Sequence, residues 1–191
     1  MLIDPARFIA AYENRFTPMP VPARAGMQQL LVFLGQDEAL RDARWVAYML
    51  ATVKHECADV WQPIEERGPV SYFAKYDAGT ELGARLGNVE AGDGQRFKGR
   101  GYVQLTGRSN YTRAGLAQAP ERALDPPTAY TLLSDGMRLG QFSGKALADY
   151  MGDAGTDYLG ARHIINGQDR AELIAGYALT LEALVRAAET G

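Results

Sequence analysis

The sequence contains very few of the residues that form disulfides or bind metal ions. Its 191 residues include one cysteine, Cys57, and two histidines, His55 and His163. A single thiol excludes an internal disulfide and is typical of proteins that fold in a reducing compartment. The spacing of these residues matches no zinc site. We therefore expect no metal site, and we interpret Cys57 as a small buried helix residue rather than a reactive thiol.

A surplus of positive charge and long apolar runs are also missing. The chain has 20 Lys and Arg against 23 Asp and Glu, a net charge of −3, which argues against a basic nucleic-acid-binding surface. No stretch approaches the roughly 20 apolar residues of a membrane-spanning helix. Residues 1–5 do not begin a secretory signal, because no basic region followed by an apolar run is present. We expect synthesis in a cytoplasm without a signal peptide, no nucleic-acid partner and no stable membrane insertion.

What the sequence does contain is a series of helical patterns. Asp4 and Pro5 predict a capped helix start, and residues 23–34 have the apolar spacing of a second helix, after a loop over residues 17–22. Asp37 is expected to cap a third helix, whose apolar stripe runs to His55 and Glu56. Later helices are predicted over residues 110–119, 127–139, 146–151, 156–165 and 170–188.

The middle of the chain interrupts the helical pattern. Residues 68–101 are rich in glycine and poor in aliphatic side chains, and we expect a glycine-rich loop or a short hairpin that forms the wall of a cleft. Residues 98–111 add an arginine between two glycines, followed by several hydrogen-bonding side chains. The prediction is a mainly α protein with a single catalytic domain over residues 1–191, in which this segment forms the binding face.

Three glutamates indicate acid–base chemistry. An inverting glycosidase needs a carboxylic acid for the leaving oxygen and a carboxylate for the attacking water, roughly 6.5–9.5 Å apart. Glu56 ends an apolar stripe, where partial burial favours the protonated form of a carboxyl group. Glu66 follows after the break at Pro63, and Glu65 competes with it for the second role. The alternative interpretation is that these carboxylates belong to the solvated surface.

Nearby side chains offer further contacts to a sugar. Tyr72, Phe73 and Tyr76 could stack on sugar faces, although core packing is the alternative for aromatic residues at this density. His55 could form a hydrogen bond with a carboxylate, or it could pack beside the helix as a structural residue.

Residues 97–111 resemble a motif of glycoside hydrolase family 19, which contains plant-type chitinases and many phage endolysins. The family pattern is close to Tyr-x-Gly-Arg-Gly-x-x-Gln-Leu-[Thr/Ser]-x-x-x-Asn-Tyr, and this chain has Gly-Arg-Gly-Tyr-Val-Gln-Leu-Thr-Gly-Arg-Ser-Asn-Tyr at residues 99–111. Residues 51–56 resemble the family's His-Glu segment, and residues 61–66 resemble the Gln-Pro-Ile-x-Glu run of its phage branch. The resemblance extends over residues 45–184.

The resemblance implies a lysozyme-like α domain without metal or cofactor, and a role for each matching residue. Glu56 matches the general acid, and Thr106 matches the hydroxyl residue that helps to hold the nucleophilic water. Glu66 matches the carboxylate that activates this water, with Glu65 as the alternative. Gln104 and Asn110 match substrate-binding positions, and Arg162 and Asn166 match a segment that lines the cleft in relatives. His55, Tyr72 and Arg100 are further candidates for substrate contacts in this chain.

The chain also departs from the family pattern. Cys57 replaces the hydroxyl residue that follows the acid, and Phe97-Lys98 replaces the tyrosine before Gly-Arg-Gly. The segment between Glu66 and Gly99 is short, so that fewer sugar subsites are expected. These differences bear on the choice of substrate more than on the type of reaction.

The resulting prediction is a monomeric inverting glycoside hydrolase of the endolysin type. It would cut the glycan strand of bacterial peptidoglycan in the periplasm, after release by a separate membrane-permeabilising protein. The alternatives are a chitinase acting on N-acetylglucosamine polymers and a non-catalytic glycan-binding virion protein. A purely structural α domain would leave the glycines of residues 99–110 unexplained, since glycine costs stability in regular structure.

Overall fold

The computed structural model describes residues 1–165 and 167–190, and this part of the chain is mainly helical, which confirms the prediction of a mainly α protein. Its α-helices are α1 (Pro5–Arg15), α2 (Val21–Gln36), α3 (Ala43–Glu56), α4 (Val70–Phe73), α5 (Glu81–Arg85), α6 (Asp93–Arg96), α7 (Arg108–Arg113), α8 (Pro126–Arg138) and α9 (Ala171–Ala188). Its strands are β1 (Leu2–Ile3), β2 (Ile64–Glu65), β3 (Arg100–Gly101), β4 (Met151–Gly152), β5 (Gly155–Thr156) and β6 (Glu189–Thr190). Its 3₁₀ helices are Ala74–Tyr76, Pro120–Leu124, Leu147–Asp149 and Gly160–Ile164. None of the described helices combines the length and apolar content needed to span a lipid bilayer.

The chain forms two compact units. The first comprises Met1–Gln62 and Leu133–Gly191, and the second comprises Pro63–Leu132. The single catalytic domain over residues 1–191 stays a prediction.

Helix α3 is the centre of the first unit. It packs against α9, and α1 packs against both α2 and α9. Every residue from 46 to 54 of α3 is buried, as expected for a helix that is surrounded by other elements. The short β4–β5 hairpin is attached to its first turn, where Arg44 Nη1 donates to the carbonyl of Gly152 at 3.0 Å and Trp45 Nε1 donates to that of Met151 at 2.9 Å.

The helix starts of this unit are partly as predicted. The Asp4 carboxylate accepts hydrogen bonds from two amides of the first turn of α1, at 2.9 and 3.1 Å, which confirms that start. Helix α2 begins at Val21, inside the predicted loop, because proline is well accommodated in a first helical turn. The prediction that Asp37 caps α3 is wrong. Asp42 directly precedes the helix and accepts from its amide at residue 44, at 2.9 Å, whereas the Asp37 carboxylate bonds within the preceding turn.

Replacement by alanine of two helical glycines of the first unit is expected to change the free energy of unfolding in opposite directions. A Cβ at Gly176 in α9 would have no heavy atom within 4 Å, so Gly176→Ala should raise the free energy of unfolding by about 0.5–1 kcal/mol. A Cβ at Gly26 in α2 would lie 2.4 Å from the Trp61 carbonyl oxygen, so Gly26→Ala should lower it by roughly 1–3 kcal/mol. Urea unfolding of both variants beside the wild type measures this difference. Shifts of the same sign would contradict the packing described for α2.

The second unit has short helices around an aromatic interior. Phe73, Phe97, Tyr102 and Tyr111 are almost completely buried. Strands β2 and β3 pair antiparallel, with Ile64 opposite Gly101 and Glu65 opposite Arg100. This pairing brings the segment of the Gln-Pro-Ile-x-Glu resemblance next to the Gly-Arg-Gly segment.

Residues 68–101 differ from the predicted loop or short hairpin, because α4, α5 and α6 lie there and β3 is the segment's only strand among the described residues. Side-chain hydrogen bonds hold these short helices. The Thr80 hydroxyl accepts from the Gly83 amide at 2.9 Å at the start of α5, and Arg108 donates twice to the Asp93 carboxylate, at 2.7 and 2.6 Å. Such bonds produce no apolar periodicity, so the pattern of apolar residues did not indicate these helices.

Candidate functional site

Glu66 directly follows β2 in the second unit, and both of its carboxylate oxygens have hydrogen-bond donors. Oε1 accepts from the Tyr76 hydroxyl at 3.0 Å, and Oε2 accepts from the Gly99 amide at 3.2 Å. The Glu66 amide in turn donates to the Gly99 carbonyl at 2.8 Å, which continues the β2–β3 pairing by one residue. The side chain is half-buried. The carboxylate is therefore held in one orientation while part of the residue stays open to solvent.

Three side-chain oxygens converge at Gly99. An ideal Cβ at this residue would lie 2.9 Å from Gln104 Oε1, 3.3 Å from Thr106 Oγ1 and 3.4 Å from Glu66 Oε2. We call Glu66, Gln104 and Thr106 the oxygen cluster. A methyl group at position 99 would crowd all three oxygens, and Gln104 Oε1, the nearest of them, would have to move.

Hydrogen bonds to the backbone hold the oxygen cluster in place. Gln104 Nε2 donates to the carbonyls of Ile64 and Gly101, at 3.1 and 3.2 Å, and the Thr106 hydroxyl donates to the Gln104 carbonyl at 2.7 Å. Asn110 Nδ2 donates to the Thr106 carbonyl at 2.7 Å. Gln104 has a φ of 53°, a left-handed conformation that costs a non-glycine residue about 1–3 kcal/mol and is concentrated at functional sites.

Glu65 has different partners, since consecutive residues of a strand point to opposite sides. Its carboxylate accepts from Arg100 Nε at 2.7 Å and pairs with Lys98 Nζ at 3.1 Å. Burial alone would raise the pKa of Glu65, but the hydrogen bonds from Lys98 and Arg100 outweigh it and hold the pKa below its usual value. Glu65 is thus the carboxylate of an ion-pair network, and Glu66 is the carboxylate of the oxygen cluster.

Arg100 lies inside the second unit instead of on its surface. Besides Glu65, its guanidinium donates to the Arg96 carbonyl at 2.9 Å and to the Tyr111 hydroxyl at 3.2 Å, and this hydroxyl donates to the Lys98 carbonyl at 2.9 Å. These contacts support β3 and Glu65 from within. They give Arg100 a positioning role, which differs from the substrate contact that the sequence predicts.

The aromatic residues near Glu66 divide into buried and exposed ones. Phe73 is in the core, whereas Tyr72 is 41% exposed. The ammonium group of Lys75 lies 3.5 Å from the centroid of the Tyr72 ring and 4.6 Å from that of Tyr76. Burial raises the pKa of Tyr76 to about 12. The hydrogen bond with Lys75 opposes this increase, and the negative charge of Glu66 adds to it. The Tyr76 phenol is therefore protonated at neutral pH and donates to Glu66.

Glu56 belongs to the first unit and is the last residue of α3, which confirms its predicted place at the end of an anchored helix. Its Oε1 accepts from Arg162 Nη1 at 2.9 Å. The Glu56 side chain is 17% exposed and the Arg162 side chain 2%, and Arg162 Nε donates to the Asp169 carbonyl at 2.9 Å. An unpaired guanidinium as buried as this one would be costly, and the Glu56 carboxyl oxygen supplies a hydrogen-bond acceptor for it.

His55 and Cys57 are the residues on either side of Glu56 in the chain. His55 is half-buried beside Glu56, and Cys57 is buried at the end of α3, as its interpretation as a small buried residue requires. Asn166 lies outside the described residues. Sequence reasoning considered Tyr76 for sugar stacking alone and did not single out Lys75. No pattern indicates their contacts, because the 3₁₀ helix that carries both residues forms within a glycine-rich segment.

Within residues 1–165 and 167–190, no group of three or more His, Cys, Asp or Glu side chains is placed to hold a metal ion. Comparison of the chain with models of protein families, with characterised proteins and with solved structures found no match in any of the three.

Proposed function

We propose that the protein is an inverting glycoside hydrolase of the family 19 type, with a lysozyme-like α fold, that cuts the glycan strand of bacterial peptidoglycan. The observation that carries the proposal is the oxygen cluster around Gly99. It combines a carboxylate, a hydroxyl and an amide oxygen at one point. An attacking water needs such a set, because it must lose a proton to a base while its remaining hydrogen is held in a defined direction.

The hydrogen bonds of Thr106 favour this use. A hydroxyl group has one hydrogen to donate and two lone pairs that accept. The Thr106 hydrogen is directed to the Gln104 carbonyl at 2.7 Å, which leaves the lone pairs of Thr106 Oγ1 for a water. A water whose two hydrogens point to Glu66 and Thr106 presents its own lone pair in a single direction, as nucleophilic attack requires.

Glu66 is the better supported of the two candidate bases. Its hydrogen bonds come from two neutral donors, Tyr76 and Gly99, which orient the carboxylate without neutralising its charge. Glu65 is tied to the cations of Lys98 and Arg100. A carboxylate in two ion pairs would have to break them before it could take a proton from water.

Glu56 is the proposed general acid. In the reaction it gives its proton to the leaving glycosidic oxygen and becomes a carboxylate, while Glu66 takes the proton of the water that adds to the sugar carbon. The buried guanidinium of Arg162, 2.9 Å from Glu56, stabilises the negative charge that this transfer creates. A fixed positive group aimed at a developing charge is a strong form of transition-state stabilisation. We further propose that the protein acts as a monomer, in the periplasm, after its release from the cytoplasm.

The proposal predicts the products of digestion. Purified peptidoglycan incubated with the protein should gain new reducing ends, and because inversion at a β-linked sugar yields the α-anomer first, proton NMR of the early products should show that anomer. Early release of the β-anomer would contradict an inverting mechanism. Chitin oligomers digested in parallel test the chitinase alternative. Binding to peptidoglycan without any new reducing end would overturn the proposed function and favour a non-catalytic glycan-binding protein.

A further inference from the structure

Lys75 is held in an unusual way for an exposed lysine. Its ammonium group lies against two phenol rings, at 3.5 Å from the centroid of Tyr72 and 4.6 Å from that of Tyr76. The two rings are nearly perpendicular, with an interplanar angle of 86° and centroids 6.3 Å apart. Contacts of a cation with ring faces are attractive, and together they restrain a side chain that would otherwise sample many rotamers. We call Tyr72, Lys75 and Tyr76 the lysine mount.

In the part of the chain that the structure describes, no carboxylate lies within ion-pair distance of the positive charge on the lysine mount. Within the described residues Lys75 forms no ion pair, whereas Lys54 pairs with Asp59 and Lys98 pairs with Glu65. The hydroxyl group of Tyr72 raises the pKa of Lys75, with a smaller contribution from Tyr76. The ammonium group is therefore charged at neutral pH, fixed in position and available to an external anion.

One tyrosine connects the lysine mount to the proposed base. The ring of Tyr76 contacts Lys75, and its hydroxyl donates to Glu66 Oε1 at 3.0 Å. Tyr76 thus contacts both the cation of the lysine mount and the carboxylate of the oxygen cluster. The same geometry covers one face of the Tyr72 ring with the protein's own ammonium group, so that face does not stack on a sugar.

We infer that the lysine mount is a subsite for a carboxylate carried by the substrate, an inference that rests on the proposed function and names its substrate class. The glycan strand of peptidoglycan carries carboxylates on every second sugar, on the stem peptide or, where the peptide is absent, on the lactyl group itself, whereas chitin carries none. A fixed ammonium group forms charge-assisted hydrogen bonds with a carboxylate. The mount therefore selects peptidoglycan over a neutral polymer of the same acetamido sugar.

Kinetics on two forms of one substrate test this inference. Glycan chains from peptidoglycan are used as isolated and after amidation, which neutralises their carboxylates. On native chains, Lys75→Met should raise KM roughly 10-fold and leave kcat unchanged, and Lys75→Arg should restore most of the binding. On amidated chains, the wild type and Lys75→Met should have the same KM. Lys145→Met is the matched control, since it removes the same charge from an exposed lysine of the first unit and should change neither constant.

The possible outcomes separate this inference from the proposed function. If the wild type releases no reducing ends from native chains, the proposed function fails. If it cleaves native and amidated chains with the same KM, or if Lys75→Met keeps the wild-type KM on native chains, the carboxylate subsite is overturned while the hydrolase stands. A fall in kcat at unchanged KM would also overturn the subsite, because it would give Lys75 a role in positioning Glu66 instead.

Discussion

Glu66→Gln is expected to lower the rate of peptidoglycan cleavage by roughly 10²–10⁴-fold, the usual contribution of a general base. Glutamine keeps the size of the side chain and can still accept one hydrogen bond, from Tyr76 or from Gly99, but it cannot take a proton from water. The measurement is the initial rate of reducing-end release at saturating substrate. Circular dichroism melting of the variant shows whether the second unit remains folded.

Glu65→Gln is the matched control, because it makes the same change one residue earlier. Its rate should stay within about tenfold of the wild type, since Glu65 does not belong to the oxygen cluster. The folded protein lowers the pKa of Glu65 from its usual 4.5. The stabilisation from this carboxylate is therefore fully present above pH 4.5 and is lost as the pH falls below it through the folded-state pKa. The difference in melting temperature between wild type and Glu65→Gln should accordingly shrink in acid.

A large loss of rate in Glu65→Gln with little loss in Glu66→Gln would reverse the assignment of the base. Gly99→Ala provides an independent variant. The backbone at Gly99 is not in the left-handed region, so alanine is conformationally allowed, but its methyl group would crowd the three oxygens at 2.9–3.4 Å. We expect a folded protein with at least a tenfold lower rate, and a fully active Gly99→Ala would show that the cluster does not hold the water.

Glu56→Gln is expected to slow the clearing of outer-membrane-permeabilised Gram-negative cells by roughly 10²–10⁴-fold. Glutamine has no acidic proton to give to the leaving oxygen, and it cannot form the carboxylate that Arg162 stabilises. The decrease of turbidity with time measures this rate. Equal clearing by wild type and Glu56→Gln would remove Glu56 from the mechanism.

Glu56→Gln needs a control for stability, because the partner of Glu56, Arg162, is buried. Arg162 is 2% exposed, and removal of the charge opposite a buried cation commonly costs about 3–5 kcal/mol. The glutamine amide oxygen can still accept from Arg162, which reduces this loss. Glu56→Asp keeps a carboxyl group at this position and shortens the side chain by one methylene group. If Glu56→Asp and Glu56→Gln have similar melting temperatures but Glu56→Asp clears cells faster, the loss in Glu56→Gln is chemical and not a consequence of unfolding.

Local signals in the sequence were sufficient for several features of the first unit. Asp4 and Pro5 mark the start of α1 because a cap and a first-turn proline act on adjacent residues. The apolar stripe that ends at Glu56 indicates the end of α3, since burial repeats with the helical period. The same reasoning placed the cap of α3 at Asp37 instead of Asp42, because both residues have a suitable side chain and only the folded backbone distinguishes them.

By itself, the sequence determined that the protein is mainly helical, that it has no internal disulfide, and that Glu56 ends a buried helix. The tertiary structure decided that Glu66, and not Glu65, joins the oxygen cluster. It also decided that Arg162 forms a hydrogen bond with Glu56, which lies 106 residues earlier in the chain. The physical reason is that helix formation depends on neighbouring residues, whereas the side of a strand on which a carboxylate lies depends on its pairing register. A shift of one residue in that register would exchange Glu65 and Glu66.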